Sequence, residues 1–195
     1  MWQKIRKWFA PKPQIPPEWL NMPLGEIPFL CIDLELTSLN LNDTKILSIG
    51  WVEGKGKQIA MQDIAQGQPV RIALEELKQY ASSHIWVFHC TGLDMTVLNG
   101  VFKKLNIPLP TVVTLDTLRF GLYQLTRNLR PPPPNAVVLP VCRARYNLPA
   151  VPAHNALDDA MATMELLFAQ IQKFAPQNSD TLKSLLITDA IDVFP

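Results

Sequence analysis

The chain has 195 residues, of which 48% are hydrophobic, and its 18 Lys and Arg nearly balance 17 Asp and Glu. That length and apolar share exclude a disordered polymer and support one domain with a substantial core. No apolar run reaches the roughly 18 residues a membrane span needs, and the basic start (Lys4, Arg6, Lys7) leads into prolines rather than an apolar signal core. Cys31, Cys90 and Cys142 are widely spaced with no Cys-x-x-Cys pair, which excludes a disulfide framework and a zinc knuckle. The expectation is a cytoplasmic protein with no membrane partner.

Residues 1–27 read as a proline-rich, basic N-terminal arm, with Trp2, Trp8 and Trp19 as candidate anchors, and residues 28–195 as the folded domain. Within that domain "FLCIDLEL" (29–36) is a first strand, "KILSIGWV" (45–52) a second, and "KQIAMQ" (57–62) a third, joined to the second by a hairpin turn at "EGKG". "VRIALEELKQYA" (70–81) follows as a helix, "HIWVFHC" (84–90) as a strand, "GLDMTVLNGVFKKL" (92–105) as a helix, and "TVVTLDTL" (111–118) as a strand running into a helix. "RPPPPN" (130–135) is a polyproline loop. "NALDDAMATMELLFAQIQKF" (155–174) is the longest helical pattern, with Ala160, Met164, Leu167, Phe168 and Ile171 inward, and "SDTLKSLLITDA" (179–190) a short last helix. A hairpin followed by crossover helices predicts an α/β domain with a mixed five-stranded sheet flanked by helices.

The apolar first strand carries two acids. Residues two apart on a strand share a face, so Asp33 and Glu35 project together and repel unless a proton or a cation intervenes. Asp94 lies in the first turn of the helix after "HIWVFHC", with Thr91 as a candidate N-cap, at the end of a strand where open α/β sheets build their sites. "HNALDDA" (154–160) brings His154, a capping Asn155, and Asp158 and Asp159, of which at most one shares a face with the other acids because consecutive helical residues point about 100° apart. Taken alone, Asp94 and the Asp158–Asp159 pair are explained by helix capping and the helix dipole, whereas Asp33 and Glu35 on the strand are not. Together they suit Mg²⁺ or Mn²⁺, and two such ions about 3.5 to 4 Å apart clamp the oxygens of a phosphodiester. Lys103 to Arg145 holds seven bases against one acid, Asp116. Spread over ordinary helix surface this is a solvated face, and gathered in space it would meet phosphates.

In order, "DLELTSL", "HCTGLD" and "HNALDDA" resemble the three motifs of the DEDDh (DnaQ-like) 3′→5′ exonuclease family, which includes the proofreading epsilon subunit of bacterial DNA polymerase III. The resemblance covers roughly residues 28–175 and implies a ribonuclease H-like fold. It further implies that Asp33, Glu35, Asp94 and Asp159 hold two Mg²⁺ ions, for which Mn²⁺ substitutes, and that His154 is the general base of a hydrolysis releasing 5′-mononucleotides. Leu36, Thr37 and Leu39 are then expected to hold the 3′-terminal nucleotide, with Leu39 as a wedge, and His89 takes a supporting place beside it. Asp158 is the bystander.

The chain departs from the family pattern at Leu36 and Ser38, where Thr and Gly are usual, and at Cys90 and Leu93, where Asn and Phe are usual. Altered substrate preference is the expected consequence. The implied substrate is the 3′ end of single-stranded DNA, with RNA as the alternative, and the implied partner a DNA polymerase or another replication or repair protein. A binding module that keeps the fold without catalysis would be expected to lack a carboxylate or the histidine, and this chain lacks none.

Overall fold

The computed structural model describes residues 14–38, 40, 43–56, 58–61, 69–127, 131–152, 155–176 and 180–194. Its centre is a sheet of six strands: β1 (Phe29–Leu36), β2 (Ile46–Lys55), β3 (Gln58–Met61), β4 (Ile85–Phe88), β5 (Val112–Asp116) and β6 (Ile191–Phe194), in the order β3-β2-β1-β4-β5-β6. β2 runs antiparallel to β1 and β3, β4 runs parallel to β1 and β5, and β6 returns antiparallel to β5. The helices are α1 (Pro17–Leu20), α2 (Val70–Lys78), α3 (Thr91–Lys104), α4 (Thr117–Thr126), α5 (Leu139–Arg145) and α6 (Ala156–Phe174), with a 3₁₀ helix at Leu182–Thr188. This is the expected mixed α/β architecture, ribonuclease H-like, with one strand more than anticipated.

The alternation along β1 sets the layers. Phe29 and Cys31 join a core with Ala160, Met164 and Leu167 of α6, while Leu30, Ile32 and Leu34 join Leu74, Leu77, Leu98 and Phe102 of α2 and α3 on the other face. Both faces of the strand are therefore dry, as a central strand flanked by parallel crossovers requires. Asp33 and Glu35 share the face of Phe29 and Cys31, the side covered by α6.

Several expectations are corrected by tertiary context. β6 was hidden in the tail of the last segment, because four residues carry too little periodicity to register, and Val193 and Ile191 become a strand by pairing with Val113 and Leu115. The segment before it winds as a 3₁₀ helix, α2 ends at Lys78 instead of residue 81, and β2 extends to Lys55. α5, with Pro140 in its first turn, was not anticipated after the proline loop. Of the arm, residues 14–27 pack onto the domain: Ile15, Trp19 and Met22 lie against the α6-side core, and the Leu24 N–H donates to the Asp180 carbonyl at 2.9 Å. Trp2 and Trp8 fall outside the described residues.

Candidate active site

β1 delivers Asp33 and Glu35 to the sheet's α6 face, just before its pairing with β2 slips between Glu35 and Leu36. A bulge of this kind increases local twist and re-aims side chains, and bulges gather beside active sites. Opposite Asp33 on β2 is Gly50. A Cβ there would lie 2.2 Å from the carbonyl carbon of Ala156 and 2.5 Å from the Leu157 nitrogen. Only a glycine lets the first turn of α6 rest directly on the strand, and that contact lowers Asp159 onto the β1 acids. Asn155 fixes the turn by accepting from the Leu157 N–H at 3.0 Å and the Asp158 N–H at 3.3 Å.

As a result one carboxylate oxygen each from Asp33, Glu35 and Asp159 lies within 4.8 Å of the others, all three side chains half-buried. Burial, followed by the charges of Asp159 and Glu35, pushes the Asp33 carboxyl up to about 7. Asp94, in the first turn of α3, stands outside that trio yet feels it. Its carboxyl is pushed up to about 8 by burial first, then by the charges of Asp33 and Asp116. Like charges forced together out of water want a counter-ion, and hard oxygen donors from separate elements are the donor set of a hard divalent cation.

Two buried groups that the sequence reading passed over hold this frame. Asp116 accepts from the Thr91 N–H through Oδ2 at 3.0 Å, and through Oδ1 from Leu118 and Arg119 at 2.9 and 3.2 Å, so one carboxylate ties the starts of α3 and α4 together. Arg143 donates to the Ala162 carbonyl at 2.6 Å, to the Pro149 carbonyl at 2.9 Å and to Glu165 at 2.7 Å, clamping the chain that leads toward residue 154 against α6. Asp116 could have been found as an acid at a strand-to-helix junction, and Gly50 as a glycine inside a strand, a mark of close backbone approach. Arg143 carries no local signal.

Other expected residues fall differently. The N-cap of α3 is Cys90 rather than Thr91, and Cys90 takes φ +115°, a strained value for a residue with a side chain. Thr91 is instead buried as the first helical residue. Burial pulls the His89 imidazole below its ordinary value, against the Val137 hydrogen bond and the charge of Asp116. Its Nε2 donates to the Val137 carbonyl at 2.8 Å and its Nδ1 lies in hydrogen-bond contact with the Thr117 hydroxyl at 2.8 Å, so both ring nitrogens have partners within the protein. The Thr37 N–H donates to the Lys45 carbonyl, and its hydroxyl accepts from the Lys45 N–H, both at 3.0 Å, closing the β1–β2 hairpin and removing that amide as a nucleotide donor. Leu36 is half-buried beside it. Leu39 and His154 lie outside the described residues. The basic excess is not one patch: Arg143 is buried, and Arg119 pairs with Asp189 and Asp192.

With the acids of three elements gathered at one end of the sheet, the comparison with known proteins becomes decisive. The sequence profile of the exonuclease family (RNase T) matches residues 57–167, from β3 through most of α6, more than half of the chain. The chain belongs to the exonuclease family. The family is of the DEDDh-like kind, whose exonucleases are metal-dependent, and the cluster of acids is consistent with that dependence. The chain is 26% identical over 178 residues to a PolC-type DNA polymerase III of Halalkalibacterium halodurans, covering 78% of this chain and 12% of that one. It is 23% identical over 186 residues to the 3′-5′ exonuclease DinG of Staphylococcus epidermidis, covering 83% and 20%. To a PolC-type DNA polymerase III of Caldanaerobacter subterraneus it is 24% identical over 195 residues, covering 85% and 13%. The chain thus spans at most a fifth of the length of these relatives. Among the described residues no helix is long and apolar enough to cross a membrane.

Proposed function

We propose that this exonuclease removes nucleotides one at a time from the 3′ end of single-stranded DNA, releasing 5′-mononucleotides. The observation that carries the reading is the convergence of Asp33, Glu35 and Asp159 within 4.8 Å, with Asp94 close enough for the charge of Asp33 to add to the cost of ionising it. Asp33, Glu35 and Asp159 would hold one Mg²⁺, and Asp33 with Asp94 a second, Mn²⁺ serving in their place. Bound there, the ions would supply Lewis-acid charge that activates water and steadies the oxygens of an in-line displacement.

The protein's own residues do the rest. Asp159 is carried to the β1 acids by the α6 turn on Gly50, and Asp158, about 100° around the helix, is left as the bystander. His154, one residue before the cap Asn155, takes the proton of the attacking water, and an imidazole titrating near neutral pH suits that step. Leu36, Thr37 and Leu39 border the terminal nucleotide, with the Thr37 amide already engaged in the hairpin. His89 keeps β4 and the segment after the proline loop in register from behind.

DNA is preferred over RNA as substrate because two of the relatives named above are DNA polymerases, and association with a polymerase or a repair protein follows from the same names. The arm of residues 1–27 and the domain of 28–195 are proposed as its functional division. The test is degradation of 3′- and 5′-labelled DNA and RNA strands of equal length with Mg²⁺ or Mn²⁺, beside Asp33→Ala. Stepwise 3′ loss of DNA that vanishes in the variant is expected. Equal activity of both proteins would defeat the assignment, rapid RNA loss with intact DNA would reverse the substrate, and binding without cleavage would leave a catalytically silent module.

A further inference from the structure

We propose that the groove between the β1–β2 hairpin and α3 carries the strand on the 5′ side of the scissile bond, with its phosphates on Lys45 and Lys104. This rests on the exonuclease reading and extends it to the path of the substrate. The groove has a volume of about 490 Å³ and is lined, among others, by Lys45, Ile46, Val97, Gly100, Val101 and Lys104. No carboxylate among the described residues lines it, but each wall leads back along the chain toward the acids. On one side Lys45 is the hydrogen-bonded partner of Thr37, which directly follows β1. On the other, Val97, Val101 and Lys104 follow Asp94 at spacings of three, seven and ten along α3, so they descend the face below that carboxylate over about 15 Å of helix axis.

The lining separates into two chemistries. Ile46, Val97 and Val101 are half-buried or buried and offer an apolar floor to base faces, while Lys45 and Lys104 are exposed at the rim. Neither lysine is in an ion pair among the described residues. A positively charged groove that tracks the backbone is the electrostatic half of sequence-independent single-strand binding, and here the aliphatic floor offers apolar contact in place of aromatic stacking. The lysines also decide which part of the strand lies there. A terminal nucleoside brings only the phosphate under attack, which belongs at the carboxylates, so two further cations fit phosphates farther along.

Gly100 adds an independent observation. It sits inside α3, where glycine is a poorer helix former than alanine, and a Cβ on it would meet nothing within 4 Å. Packing within the protein does not ask for a glycine. The open side of Gly100 is a wall of the groove, where a larger side chain would project into the space.

The experiment compares a single-stranded oligodeoxynucleotide with the p-nitrophenyl ester of thymidine 5′-monophosphate, which has no upstream strand. The full chain is used as wild type, as Lys45→Ala/Lys104→Ala, and as Gly100→Leu. For both variants the expected result is a loss of about tenfold in kcat/KM on the oligonucleotide with ester hydrolysis unchanged and Tm not lowered. In the lysine variant the log–log salt dependence should also flatten by about 0.7 per lysine. Equal loss on both substrates would assign the groove to the terminal nucleotide and overturn the proposal, as would an oligonucleotide rate that neither variant lowers. A wild-type chain that cleaves neither substrate would remove the exonuclease reading itself, and the groove's occupant with it.

Discussion

Gly50→Ala is the substitution that tests how the site is built. The added Cβ would meet the Ala156 carbonyl at 2.2 Å, where ordinary contact begins near 3.4 Å, so the first turn of α6 must retreat by about 1.2 Å. The obstacle is backbone in a capped helix, which cannot swing aside as a side-chain tip can. Asp159 rides on that turn, and coordination distances tolerate only about 0.2 Å. A displacement of about 1 Å at a reacting centre lowers turnover by about 10²-fold, and overpacking of this kind costs about 1–3 kcal/mol. Nuclease turnover is measured across a Mg²⁺ titration, and stability by urea unfolding, on Gly50→Ala and on Gly54→Ala as its control. Gly54 lies on the same strand under the same helix, but a Cβ there meets only the Met164 thioether at 2.5 Å and the Phe168 ring at 2.9 Å. The control should therefore lose stability and keep its metal midpoint. If Gly50→Ala turns over like wild type with an unshifted Mg²⁺ midpoint, the claim that this glycine seats Asp159 is wrong.

Metal-free protein should lose stability as pH rises. Asp33 and Asp94 titrate at about 7 and about 8 in the fold against 3.8 ordinarily, so the folded form binds their protons more tightly, and the stability this brings is full below about pH 4 and lost through about pH 7 to 8. The loss is on the order of a few kcal/mol; urea unfolding in chelator at pH 5 and 8.5 measures it, Mg²⁺ should restore it at the higher pH, and a flat profile would contradict the arrangement. Arg143→Met should cost about 3 kcal/mol, because it strands the Ala162 and Pro149 carbonyls and Glu165 without their donor. A urea midpoint unchanged from wild type would deny the clamp. Cys90→Gly should raise stability by about 1 kcal/mol by releasing the φ of +115°, and a lower melting temperature would indicate that the thiol's packing outweighs the strain.

How much of this was legible follows from the range of each signal. β1 announced itself as an apolar run bounded by turn residues, and α6 by a cap and a sustained helical period, because both signals are local. β6 gave no such warning: four residues become a strand only because β5 offers an edge and Arg119 holds Asp192 and Asp189 beside it. The N-cap of α3 was misplaced by one residue for a related reason. Thr91 has the better capping side chain, but Asp116, arriving 25 residues later, takes the Thr91 N–H, and the distortion is left on Cys90. The acids were visible one by one, whereas the contact that gathers them, Gly50 beneath Ala156, joins positions more than a hundred residues apart.

The same long-range contact explains why capping and chemistry need not compete for the acids of α6. The cap of that helix is made by Asn155, whose side chain serves the first free N–H groups, so the carboxylates of the first turn are released from that duty. Their favourable interaction with the helix start is worth about 0.3–1 kcal/mol, too little to hold Asp159 against the charges of Asp33 and Glu35 in a half-buried site. A helix dipole alone would let Asp159 turn outward to solvent. What keeps it inward is that the helix is seated on the strand through backbone contact at Gly50 and clamped farther along by Arg143, so the repulsion is borne by the fold and adds to burial in raising the Asp33 carboxyl. A divalent cation relieves that repulsion at the point where a phosphodiester would bind, which links the stability of the metal-free chain to the chemistry proposed for it.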